Sequence, residues 1–98
     1  MLVQTACDAL RSGHVLELQY DGYVRLVEVH AVGFTGEDSP IMRAWQIRGG
    51  ADDKEPTGWT LLRVDEANGA IITTQKSLAP RPDYQAGGKE MKLITCQL

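Results

Sequence analysis

The sequence has little that would tie it to a membrane, a metal or a cross-linked scaffold. No apolar run approaches the roughly eighteen residues that a spanning helix needs, so no membrane partner is expected. The first apolar stretch is broken by Asp8 and Arg11, which does not suit the core of a secretory signal. There are two cysteines, Cys7 and Cys96, at opposite ends of the chain. A disulfide between them is open to the chain. Without an export signal, free thiols in a reducing cytoplasm are the expectation, with Cys7 buried and inert. No CxxC pair occurs, and His14 and His30 stand too far apart for ligand spacing, so neither a metal nor another cofactor is expected. Charge of one sign is not in excess: ten Lys/Arg against thirteen Asp/Glu give −3, which argues against generic polyanion binding.

Catalytic signatures are missing as well. There is no GxSxG elbow, no Gly-rich phosphate loop ending in Lys and Ser/Thr, and no HExxH. Asp52 and Asp53 fall in a Gly-rich, charged loop and read as solvated turn residues rather than a metal-binding pair. A role other than enzymatic is expected. With 98 residues, 43% hydrophobic and 23% charged, the chain suits one globular domain over residues 1–98 and does not have the composition of disorder.

The patterning that is present is mostly that of strands. Leu2, Val3, Ala6, Cys7 and Leu10 recur at helical spacing and predict a helix over Leu2–Ser12, stopped at Gly13. Two alternating runs, 15–20 and 23–28, flank Asp21-Gly22 and predict a tight hairpin with Tyr20 opposite Tyr23, Leu18 opposite Arg25 and Leu16 opposite Val27. The second run continues to Phe34, with Gly33 a place to bend. Further strands are expected over 42–48, 59–64 and 70–74, with Asn68-Gly69 as a turn. Pro80-Arg81-Pro82 forces an extended path. The tail after Gly88 fits helix and strand equally. One helix and about five strands suggest a mostly β domain, either a small barrel or a curved antiparallel sheet.

Arg25, Arg43, Arg48 and Arg63 fall inside predicted strands, where a guanidinium needs a partner or a path to water. Residues 41–63 hold four basic groups against three acidic, whereas residues 1–40 hold two against six. With Tyr20, Tyr23, Trp45 and Trp59 interleaved, these arginines could grip an anion while rings stack on a base. Alternatively, each lays its stem over the sheet and puts its head in water. His30 shares a face with Glu28 and Val32 and is either a hydrogen-bonded structural histidine or a ligand or pH-sensing group. Gln46 is either a satisfied inward amide or a specificity contact.

The ordered pieces Tyr20-Asp21-Gly22, Arg25, Val27-Glu28-Val29-His30, Arg43-Ala44-Trp45-Gln46-Ile47, Gly58-Trp59-Thr60-Leu61-Leu62, Val64-Asp65 and Pro80-Arg81-Pro82-Asp83-Tyr84 resemble short stand-alone bacterial WYL-like domains. The literal Trp-Tyr-Leu triplet is absent, and Val29 stands where relatives have a proline before the histidine. The resemblance implies an SH3-like or Sm-like five-stranded barrel behind an N-terminal helix. It also implies a regulatory module that binds nucleotides or single-stranded nucleic acid, with Tyr20, Arg25, His30, Arg43 and Arg63 on the ligand surface and Trp45 and Gln46 beside them. Beside such a domain, this length leaves no room for a DNA-binding unit, so only ligand binding carries over. The competing expectation is a homo-oligomeric assembly module, with the tryptophans as interface anchors.

Overall fold

A short amphipathic helix opens the chain where the spacing predicts it. In the computed structural model, which describes residues 2–49, 57–86 and 89–98, this helix, α1, spans Leu2–Ser12 and buries Ala6, Cys7, Ala9 and Leu10. The Gly13 N–H closes its last turn on the Ala9 carbonyl at 3.0 Å. An isolated helix of this length is marginal in water, so docking of the apolar stripe is what stabilises it.

The hairpin follows with the expected register. Strands β1 (His14–Tyr20) and β2 (Tyr23–Phe34) set Leu16 opposite Val27, Leu18 opposite Arg25 and Tyr20 opposite Tyr23. Asp21 and Gly22 adopt φ of 54° and 80°, the left-handed pair that a tight turn of matching twist requires. Strands β3 (Pro40–Gly49), β4 (Gly58–Arg63), β5 (Ala67–Lys76) and β6 (Leu93–Gln97) complete one antiparallel sheet of six strands in the order β4-β3-β2-β1-β5, with β6 added to β2. Because β3 runs along one edge of β2, β1 and β6 share its other edge, β1 on the first half and β6 on the second. Among the described residues β4 and β5 do not pair with each other, and the sheet is not closed.

Three points of the sequence reading are decided by the structure. The tail, open between helix and strand, forms the sixth strand, β6, which can pass close to β2 because Gly33 has no side chain to meet the Leu93 carbonyl. Asn68-Gly69 is not a turn. A 3-10 turn at Val64–Glu66 already carries the chain from β4 to β5. Gln19 then pairs with Gly69 and Tyr20 with Ala67, which leaves Asn68 as the extra residue of a bulge. Third, Cys7 and Cys96 are not free thiols: they form a disulfide with Cα atoms 6.0 Å apart. Cys7 lies on the buried stripe of α1 and Cys96 is the buried residue of β6, so packing both elements on one core brings the chain's ends together.

The main core fills the face of the sheet under α1. Leu16, Leu18, Val27, Val29, Val32, Met42, Ala44 and Leu62 pack there against the helix. Fully burying each Leu or Met contributes about 1.5–3 kcal/mol. A smaller cluster of Ala31, Ile41 and Met91 lies apart from it. No helix among the described residues is long and apolar enough to cross a membrane. Asp52 and Asp53 lie outside the described residues.

Candidate functional site

The face of β2, β3 and β4 turned away from the core carries the densest cluster of polar and aromatic side chains. Opposed residues of antiparallel strands share a face. Glu28 opposes Trp45, and Trp45 opposes Trp59, so one row across three strands reads carboxylate, indole, indole. His30 joins this row through a bulge. Val29 pairs with Ala44 and Ala31 with Arg43, so β2 has one residue more than β3 at this point. The bulge also resets the alternation: Val32, expected beside His30, turns into the core instead.

A strap formed by residues 77–86 crosses the row, and two residues of β2 hold it. The Glu28 carboxylate, 1% exposed, accepts from the Leu78 N–H at 2.6 Å and from Arg81 Nε at 2.6 Å. His30 is fully buried. Its Nε2 accepts from the Arg81 N–H at 2.9 Å, and Nδ1 lies 2.9 Å from the Glu28 carbonyl. A backbone N–H can only donate, so Nε2 is bare and the proton sits on Nδ1, donating to that carbonyl. The ring is neutral. Burial holds its pKa below the ordinary 6.5, with the Arg81 charge acting in the same direction and Glu28 opposing. Arg81 also lies over the Trp45 ring at 5.2 Å, a cation–π contact inside the same enclosure. Tyr84 Oη donates to the His30 carbonyl at 3.2 Å, and Trp59 Nε1 donates to the Pro82 carbonyl at 3.2 Å.

Between strap and sheet lies a cleft of about 300 Å³ lined by Arg43, Trp59, Asp83, Tyr84, Lys89 and Glu90, among others. Trp59 and Tyr84 stack at 6.1 Å with 26° between their planes, and Trp45 and His30 meet Trp59 edge-on. Arg43 is ion-paired with Glu90. The Glu90 carboxyl is held below its ordinary value first by its own backbone N–H and next by Arg43, while burial raises the Tyr84 hydroxyl above its ordinary value. Two cations and two carboxylates thus edge a cleft with aromatic walls. An incoming anion would compete with Glu90 for Arg43.

The seven sequence candidates do not share one wall. His30, Arg43 and Trp45 come together at this site. Arg25 and Gln46 are on the core face, since they oppose the core residues Leu18 and Val27. Only 7% and 3% exposed, they are joined by a hydrogen bond from Arg25 Nη1 to Gln46 Oε1 at 3.0 Å. Tyr20 packs on the core, and its hydroxyl accepts from the Arg63 N–H and donates to Glu66. Arg63 is exposed and paired with Asp65 at 2.8 Å. Sequence reasoning missed Glu28, Arg81 and Tyr84 as site residues. The extended path expected for Pro80-Arg81-Pro82 is not kept: the chain bends at Pro80 and turns at Pro82–Asp83, where the Tyr84 N–H meets the Arg81 carbonyl at 3.3 Å, and nothing local in the sequence shows what this segment lies against. No family model, curated protein or solved structure matches this chain.

Proposed function

We propose that this chain is a non-catalytic binding module whose aromatic cleft takes an anionic ligand carrying a flat ring, such as a nucleotide or a base of single-stranded nucleic acid. The observation that carries this reading is the stacked Trp59–Tyr84 pair beside Arg43 and Lys89. A ring stacks on exposed π-faces with little regard to its identity, while a guanidinium fixes a phosphate. The resemblance to WYL-like domains supports the same class of ligand. The strand order, with β4 and β5 joined by a 3-10 turn at opposite ends of the sheet, suits the SH3-like or Sm-like barrel which that resemblance implies. The expected cytoplasmic setting carried free thiols with it, and the Cys7–Cys96 bond does not fit a reducing compartment. A compartment that preserves disulfides suits this chain better.

Titration of the tryptophan fluorescence with mononucleotides and short oligonucleotides tests the reading. Saturable binding at about 50 mM salt should weaken roughly five- to tenfold at about 200 mM if two phosphates are contacted. Arg43→Ala should lose that binding, and Arg63→Ala should keep it. If none of these ligands saturates the protein at the lower salt, the reading fails.

A further inference from the structure

The strap that forms one wall of the cleft is held by a histidine whose acceptor nitrogen faces a backbone N–H. We propose that protonation of His30 releases this strap, so that the cleft is intact above neutral pH and dismantled in acid. For its ligand consequence this rests on the binding reading above; for the strap itself it does not.

The Arg81 N–H donates to Nε2 from 2.9 Å. A proton on Nε2 replaces this bond by two opposed donors. It also places a cation beside the Arg81 guanidinium in an enclosure sealed by Trp59 at 4.6 Å and Tyr84 at 5.2 Å, ring centroid to ring centroid. Among the described residues, the charged and titratable groups facing the ring are few. β2 supplies Glu28, and the strap supplies Arg81 and Tyr84. β4 supplies Trp59, with Trp45 of β3 edge-on behind it, neither of which titrates, and the Leu98 N–H meets the His30 carbonyl at 3.0 Å. Glu28 would attract an imidazolium, but both of its oxygens are already engaged by the strap. The cheapest way to hydrate the new charge is to let residues 78–84 leave. Because Asp83 and Tyr84 line the cleft, their departure removes half of the ring stack.

The sign follows from linkage. Above 6.5, the ordinary value, the ring is neutral in both folded and unfolded chains. As pH falls below that value the unfolded chain takes up a proton before the closed form does. Closure therefore weakens with falling pH until the closed form's lowered value is reached.

The intact protein is titrated from about pH 7.5 to about pH 4.5, across the window where a histidine changes charge. Tryptophan emission and the Arg81 amide resonance are read together. Both should move with one midpoint, and that midpoint should match the titration of the His30 ring protons in the same sample. His30→Gln, which can offer an uncharged acceptor throughout, should abolish the transition. Should this variant not fold, the matched midpoints in the unaltered protein still decide. Absence of a transition overturns the proposal. So does a transition of unchanged midpoint in His30→Gln, which would assign it to a group other than His30. For a ligand that saturates the cleft at neutral pH, the dissociation constant should rise up to about tenfold per pH unit below the midpoint. A strap transition in a protein that binds no ligand sinks the binding reading alone; binding without a strap transition sinks the switch alone.

Discussion

Arg25 shows how a single residue can look functional in a pattern and prove to belong to the interior. Its strand position opposite Leu18 dictates an inward path, and at the end of that path it finds the Gln46 amide and the Tyr20 ring, the latter at 5.2 Å. An arginine joined to a buried amide in this way ties two strands together. Gly49 closes the same corner. It pairs with Arg25 at φ 140°, and a Cβ there would stand 2.7 Å from both Arg25 Cα and the Val24 carbonyl oxygen. Gly49→Ala should therefore cost about 2–4 kcal/mol in urea unfolding, combining backbone strain with overpacking. Gly36→Ala, whose Cβ would meet nothing nearer than Lys92 Cδ at 3.6 Å, should stay within about 0.5 kcal/mol. Equal losses for the two would refute the steric account.

Elements differ in how much of their geometry is local. The hairpin is almost wholly so: two alternating runs and an Asp-Gly pair specify turn, register and face together. Gly22→Ala should cost about 1–2 kcal/mol through its left-handed conformation alone, because the added Cβ would meet nothing within 4 Å beyond its immediate chain neighbours. The loss would appear as a lower denaturant midpoint with an unchanged slope; a changed slope would mean that the turn governs more than its own backbone. β2 is the opposite case. Its first half follows the alternation, but the bulge at His30 exchanges the faces of everything beyond it. Ala31 thereby reaches the outer cluster and Val32 the core. A bulge adds one residue to one strand, and only the partner's register reveals it.

At the scale of the molecule, the chain is closed twice, by the Cys7–Cys96 bond across 89 residues and by the strap on Glu28 and His30. A covalent link over so long a loop restricts the unfolded chain strongly, by about 3–5 kcal/mol. The paired variant Cys7→Ala with Cys96→Ala should lose stability of that order, and dithiothreitol should lower the unaltered protein to about the same level. Stability indifferent to both treatments would mean that the bond contributes nothing to the fold. Because the bond joins α1 to β6, and β6 pairs with the part of β2 next to His30, whose carbonyl also meets the Leu98 N–H, loss of the bond should loosen the neighbour of the strand that carries His30.

Short-range chemistry is what the amino-acid order alone determined here: the helix with its buried stripe, the hairpin to the residue, and the position of Trp45 on β3. Each depends on neighbours within a few positions, where turn preferences and alternation operate. The tertiary structure decided which face every arginine serves, that the cysteines are joined, and that Glu28 and His30 hold a segment about fifty residues away, with Arg81 53 positions beyond Glu28. Contacts of that span depend on where whole strands come to rest. Burial and hydrogen bonding then select the partner after the chain has packed, and no local pattern of residues encodes that choice.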